Sequence, residues 1–149
     1  MKTDFDRSVG YLLTALANKA MMGASRRYRR TLDIGLMEWR VLALLAVEAQ
    51  ASPARIGEVA GVDKSVVSRA VTALERKRLV SVTVGQAGGR QTQLALTPAG
   101  QALHDRGIVG ALAGEARMLE GFSDAERDQL VDFLKRLTAN VVRLNGAQE

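Results

Sequence analysis

Between Ser52 and Arg78 the chain carries two helical periodicities separated by one glycine turn, and few folds accommodate such a pair. Ser52-Pro53 reads as a helix start, since Ser is a favoured N-cap and Pro a favoured first helical residue. Ile56, Val59 and Ala60 are expected to face inward, and Gly61 to end this short helix. Val62 leads into Asp63, whose carboxylate can cap a second helix of about four turns running to Arg78. In that helix Val67, Ala70, Val71 and Leu74 recur at i, i+3, i+4 and i+7 and form its buried stripe. Ile56, Ala60, Val62, Val67 and Ala70 would make the small core of the unit, and Gly57 leaves room where the two helices approach. This spacing is that of a helix-turn-helix, whose second helix is the one that enters a DNA groove.

The second helix has another stripe. Ser65, Ser68, Arg69, Thr72 and Arg76 share one face and contain hydroxyls and guanidiniums but no acid; Glu75 is the only carboxylate after the cap. Base edges in the major groove offer acceptors to Arg and mixed partners to Ser and Thr. The plainer alternative for this face taken alone is an ordinary solvated helix surface.

Downstream, Leu79–Val84 alternates, with Val80, Val82 and Val84 on one side and Ser81 and Thr83 on the other. Thr92–Leu96 alternates again. Between them lies the loop Gly85–Gln91, so the two segments read as a hairpin. No Gly-Lys-Ser/Thr follows the loop glycines, which excludes a phosphate-cradling P-loop. Arg90 is the only charge of the loop. It suits a narrow minor groove, with a solvated loop residue as the alternative.

Helices flank this centre. Phe5 to about Leu32 has an apolar face of Val9, Leu12, Leu13, Leu16, Ala17, Ala20 and Met21, wide enough to require a partner helix, in one chain or from a second copy. Its basic end, Arg26-Arg27-Tyr28-Arg29-Arg30, complements a helix dipole or meets phosphate. Asp33-Ile34-Gly35 turns the chain. Leu36–Ala49 is apolar nearly all round and reads as the central helix; its Trp39 is either a core anchor or part of a ligand cavity. Thr97-Pro98 opens another helix, to about Gly121, with Gly107, Gly110 and Gly114 on one face for close approach. Ser123-Asp-Ala-Glu126 is a capping box, and the last helix follows with Leu130, Phe133, Leu134, Leu137, Val141 and Leu144 in register. It is expected to pair with the first helix.

Composition narrows the function classes. Residues 52–97 carry a net +4 and residues 98–149 a net −2, so the centre suits a polyanion. There is no Cys, which rules out thiolate metal sites and thiol redox chemistry, and one His, His104, which is read as a bland helical surface position. With no nucleophile–base pair, ligand cluster or phosphate loop, the residues argue for no enzyme, no cofactor and no metal. The longest apolar run, Val41–Val47, is too short to span a bilayer, and the N-terminus has no apolar signal core, so no membrane role and a cytoplasmic location are expected.

The order helix, helix, helix-turn-helix, hairpin, helix, helix resembles the MarR family of bacterial transcription regulators over essentially the whole chain. The matching stretches are Gly35-Leu-Met-Glu-Trp39-Arg-Val-Leu, Ile56-Gly-Glu-Val-Ala-Gly-Val-Asp-Lys-Ser-Val-Val-Ser-Arg69, Leu74-Glu-Arg-Lys-Arg-Leu-Val80 and Leu96-Thr-Pro-Ala-Gly100. The resemblance implies a mainly α (α+β) fold: a winged helix-turn-helix DNA-binding domain at 35–97, an N-terminal dimerisation helix at 1–34 and C-terminal dimerisation helices at 98–149. It implies a homodimer that represses at pseudo-palindromic operators and is relieved by a small aromatic or phenolic effector. Ser65, Ser68, Arg69 and Thr72 would then lie in the major groove, with Lys64 and Arg76 as further DNA contacts and Arg90 as the wing arginine. Trp39, Leu13 and Arg40 are the effector-binding candidates. Departures from the family pattern are Gly88-Gly89 before the wing arginine, Arg78 where a Gly is common, and Val82 in place of a basic residue. The competing reading is a winged-helix protein-interaction module that does not bind DNA.

Overall fold

The structure is a computed structural model that describes residues 4–84 and 92–146. Eight elements follow in order: α1 Val9–Leu32, α2 Leu36–Glu48, α3 Pro53–Ala60, α4 Lys64–Arg76, β1 Val80–Thr83, β2 Gln93–Leu96, α5 Pro98–Met118 and α6 Asp124–Gly146. The chain divides within α5 into two compact units, Met1–Val109 and Gly110–Glu149.

In the first unit the core is built by α2, α3, α4 and the strands. Val41, Leu42, Ile56, Val67, Leu74 and Leu94 are all but sealed from solvent. Ser52 caps α3 as expected, its hydroxyl accepting from Arg55 N at 3.1 Å, and Gly61 closes it in the left-handed conformation at φ 64°. A Cβ at Gly57 would lie 3.1 Å from the Val62 carbonyl oxygen, so a side chain there would push on the backbone of the turn. Strands β1 and β2 are antiparallel with Val80 opposite Leu96 and Thr83 opposite Gln93. A third rung comes from the α2–α3 connection, where Ala51 and Leu94 exchange both backbone hydrogen bonds at 2.9 and 3.1 Å.

Several expectations are corrected. The first helix begins at Val9, not Phe5, with Ser8 at the N-cap position. Asp63 takes the N-cap position of α4, but its carboxylate makes no capping hydrogen bond, and the helix ends at Arg76 rather than Arg78. Val59 faces outward at 52% exposure, because the short α3 buries only the Ile56 side fully. Val47 is likewise exposed, so α2 is not covered all round. The expected turn at Asp33-Ile34-Gly35 forms, with Asp33 at positive φ, 53°.

Arg78 also lies in the left-handed region, at φ 57°. A Cβ there crowds the backbone at a cost of roughly 1–2 kcal/mol, part of which glycine gives back through its greater unfolded-state freedom. Arg78→Gly is therefore expected to raise stability by about 0.5–1 kcal/mol, read as a higher midpoint in urea unfolding. An unchanged or lower midpoint would show that the Arg side chain contributes as much as the turn costs.

The start of α5 is fixed by Thr97. Its hydroxyl accepts from Gly100 N at 3.0 Å and donates to the Arg78 carbonyl at 2.8 Å, while Thr97 N donates to the Leu79 carbonyl at 3.1 Å. In the second unit, the expected capping box forms: Ser123 N donates to Glu126 Oε2 at 2.8 Å and Glu126 N to Ser123 Oγ at 3.3 Å. The backbone and hydroxyl donors of Ser123 hold the Glu126 carboxyl below its ordinary range. The apolar register of α6 is exposed from Phe133 to Leu144, with Leu130 half-buried, and that of α1 is exposed from Val9 to Leu16 save for Ala15.

A helix-turn-helix followed by a two-stranded hairpin, in a mainly helical chain, is a winged helix-turn-helix.

Candidate nucleic-acid interface and ligand cavity

Helix α4 separates its two stripes cleanly. Val67, Ala70 and Leu74 are buried and Val71 half-buried, whereas Lys64, Ser65, Ser68, Arg69, Thr72 and Arg76 all stand in solvent. None of these six side chains joins an ion pair among the described residues. Arg90 and the rest of 85–91 lie outside the described residues.

Two neighbouring cations are already engaged. The Arg55 guanidinium bridges Glu48 at 2.9 Å and Glu58 at 3.1 Å, tying the end of α2 to α3, and the hydrogen bonds it donates to Glu48 are the main reason its pKa rises above the ordinary arginine value. Lys77, the C-cap of α4, reaches back to the α1–α2 turn. Its Nζ lies 3.1 Å from Glu38 Oε2 and also donates to the Asp33 carbonyl.

A cavity of about 480 Å³ opens between α2 and α3. Its α2 wall is Trp39, Arg40, Ala43, Leu44 and Val47, and its α3 wall Ile56, Val59 and Ala60. The volume falls within the range of small-molecule sites, and a mostly apolar lining with a single cation suits a flat apolar body bearing an anionic or hydroxyl group. The structure thus brings Trp39 and Arg40 together. It does not bring Leu13 to them: Leu13 stands exposed on α1 and is no part of the lining.

Trp39 is both wall and anchor. Its indole is 6% exposed and stacks on Tyr28 from α1, centroids 4.8 Å apart and 19° between planes. The His104 imidazole of α5 stacks on Trp39 at 5.5 Å and 6°. His104 is therefore not the bland surface position expected; its side chain is 13% exposed, with Nδ1 3.2 Å from Asp105 Oδ1. Gln101 first, and His104 second, hold the Asp105 carboxyl below its usual range. Gly107, one turn on, is bare because a Cβ there would collide with the Trp39 ring and with Leu32 of α1. The close approach expected of the α5 glycines is real at Gly107, whereas nothing lies within 4 Å of a Cβ at Gly110. Sequence reasoning missed Val47 and Val59 as cavity walls, although the surplus apolar face of α2 was a signal. It had no signal for the stack, whose three rings come from three distant stretches.

Comparison with known proteins gives the family. The sequence model of the MarR family matches residues 32–91. Among curated proteins there is no match. Among solved structures, the chain is similar to a MarR/EmrR family transcriptional regulator from Acinetobacter sp. ADP1, with 34% identity, 95% of this chain and 99% of that one covered, and a TM-score of 0.89. It is similar in fold to a MarR family regulator from Listeria monocytogenes complexed with 26mer DNA, at 20% identity, 91% and 89% coverage and a TM-score of 0.83. It is also similar in fold to BpsR of Bordetella bronchiseptica, whose DNA binding is regulated by 6-hydroxynicotinic acid, at 21% identity, 93% and 98% coverage and a TM-score of 0.80. The chain belongs to the MarR family of transcription regulators.

Proposed function

We propose that this regulator is a cytoplasmic homodimeric repressor that reads pseudo-palindromic operators and is released by a small aromatic or phenolic effector. The observation that carries the reading is the outward stripe of α4, in which Ser65, Ser68, Arg69 and Thr72 face solvent together with no acid among them. In this reading these four meet base edges in the major groove, Lys64 and Arg76 meet phosphates, and Arg90 reaches the minor groove. Two copies would hold their reading helices about 34 Å apart, one DNA turn. The exposed apolar faces of α1 and α6 support a second copy as their cover, and the DNA complex of the Listeria relative supports the target.

For the effector, support comes from the α2–α3 cavity with Trp39 and Arg40 on one wall, and from the ligand named for the Bordetella relative. Leu13 enters this proposal only if the second copy completes the site, since it lies off the cavity of its own chain. A ligand that favours the wrong separation of the two reading helices weakens binding without touching DNA.

Operators can be obtained by selecting genomic fragments with the purified protein. Arg69→Ala is then expected to weaken binding by about 1–3 kcal/mol in gel-shift titration, the worth of a bidentate base contact. Wild-type affinity should fall steeply with salt as phosphate counterions are released. Unchanged affinity in Arg69→Ala would remove Arg69 from the interface. Failure to retain any duplex would favour a protein-interaction module instead.

A further inference from the structure

At the far end of α4 from its N-cap, Lys77 leaves the helix and contacts two backbone junctions at once. Its ammonium lies 3.1 Å from Glu38 Oε2 and donates to the Asp33 carbonyl. Glu38 is the third residue of α2, and its other oxygen accepts from Gly35 N at 3.1 Å, so it caps the start of α2. Asp33 is the C-cap of α1 and takes a left-handed conformation at φ 53°. The Glu38 side chain is 15% exposed and that of Lys77 38%. One ammonium thus joins the end of the reading helix to the end of α1 and the beginning of α2. These are the points where a helix held by a second copy would transmit its position to the DNA-reading element.

We propose that Lys77, with Glu38 and the Asp33 carbonyl, is a positioning latch that fixes the pitch of α4 relative to α1, and so sets which half-site spacing the dimer accepts. The inference rests on the dimeric operator-reading function proposed above. Lys77 reads no base; it acts through the orientation of Ser65, Ser68, Arg69 and Thr72. With the latch intact, each reading helix is presented at one angle, and an operator of the wrong spacing must distort protein or DNA. With it broken, α4 can swivel at its C-terminal end and adapt.

The test compares full-length wild type, Lys77→Met, Glu38→Gln and the double variant on a selected operator duplex and on the same duplex with one base pair inserted between half-sites. Glu38→Gln keeps an oxygen to accept from Gly35 N and replaces the carboxylate oxygen facing Lys77 with an amide NH2, so it removes both the charge and the acceptor opposite Lys77 while leaving the start of α2 capped. The ratio of the two affinities should be high for wild type and fall by about threefold to tenfold in each single variant. The double variant should be no worse than Lys77→Met, because Glu38→Gln removes an interaction that Lys77→Met already lacks. The salt dependence of binding should not change, since no phosphate contact is lost. A ratio unchanged in both variants, even with a lowered Tm, would reduce the pair to a stabilising contact and overturn the latch. A salt slope smaller by about one for Lys77→Met, with Glu38→Gln silent, would make Lys77 a phosphate contact and also overturn it. Those results leave DNA reading itself standing, whereas wild type that binds neither duplex overturns both.

Discussion

Gly100→Ala is expected to destabilise the folded protein by at least about 3 kcal/mol, although alanine in place of glycine inside a helix ordinarily gains about 0.5–1 kcal/mol. The sign is reversed by what the first turn of α5 rests on. Gly100 is buried, and a Cβ on it would overlap the Leu79 carbonyl oxygen, with the Leu79 carbonyl carbon close behind. A side chain could swing aside, but this neighbour is backbone, and its oxygen already accepts from Thr97 N. Moving α5 away would break that bond and strain the Thr97 hydroxyl's contacts with Gly100 N and the Arg78 carbonyl. The hairpin, the end of α4 and the start of α5 meet at this point, so the whole first unit should feel the change. Urea unfolding followed by circular dichroism measures it. A variant as stable as wild type would show that the contact relaxes freely.

Trp39→Ala should cost about 3–5 kcal/mol, the usual range for removing a buried large aromatic. The void would lie between Tyr28 and His104, which now sandwich the indole, and would open onto the α2–α3 cavity. Rings on separate helices cannot close together without moving those helices, so little of the loss is recovered. A second comparison isolates the packing: Gly107→Ala should be strongly destabilising in wild type, where its Cβ meets the Trp39 ring, and much less so beside Trp39→Ala. Additive costs in the double variant would show that the two positions do not share the space.

Much of the central unit could be read directly from residues. The i, i+3, i+4, i+7 spacing in α4 identifies Val67, Ala70 and Leu74 as core, and all three are buried. The Ser52-Pro53 start, the Gly61 stop, the Thr97 cap and the Ser123–Glu126 box are local chemistry and were legible for that reason. What could not be read is long-range. Periodicity assigns a face to Val59 but does not say how much protein reaches that face. The roles of Gly100 and Gly107 depend on Leu79 and on Trp39, many residues away. Nothing in the local sequence marks Asp33 and Arg78 for left-handed turns. For the site, the acid-free polar stripe of α4 was visible because it is a pattern within one helix. Of the cavity only Trp39 and Arg40 were named, because its α3 wall needs two helices and the gap between them.

The sandwiched indole has a practical corollary. The chain contains one tryptophan, so any emission excited selectively from indole reports a single known place. That place is packed against the Tyr28 and His104 rings, and it borders the space between α2 and α3. The unlabelled protein therefore carries its own optical gauge of what occupies that space.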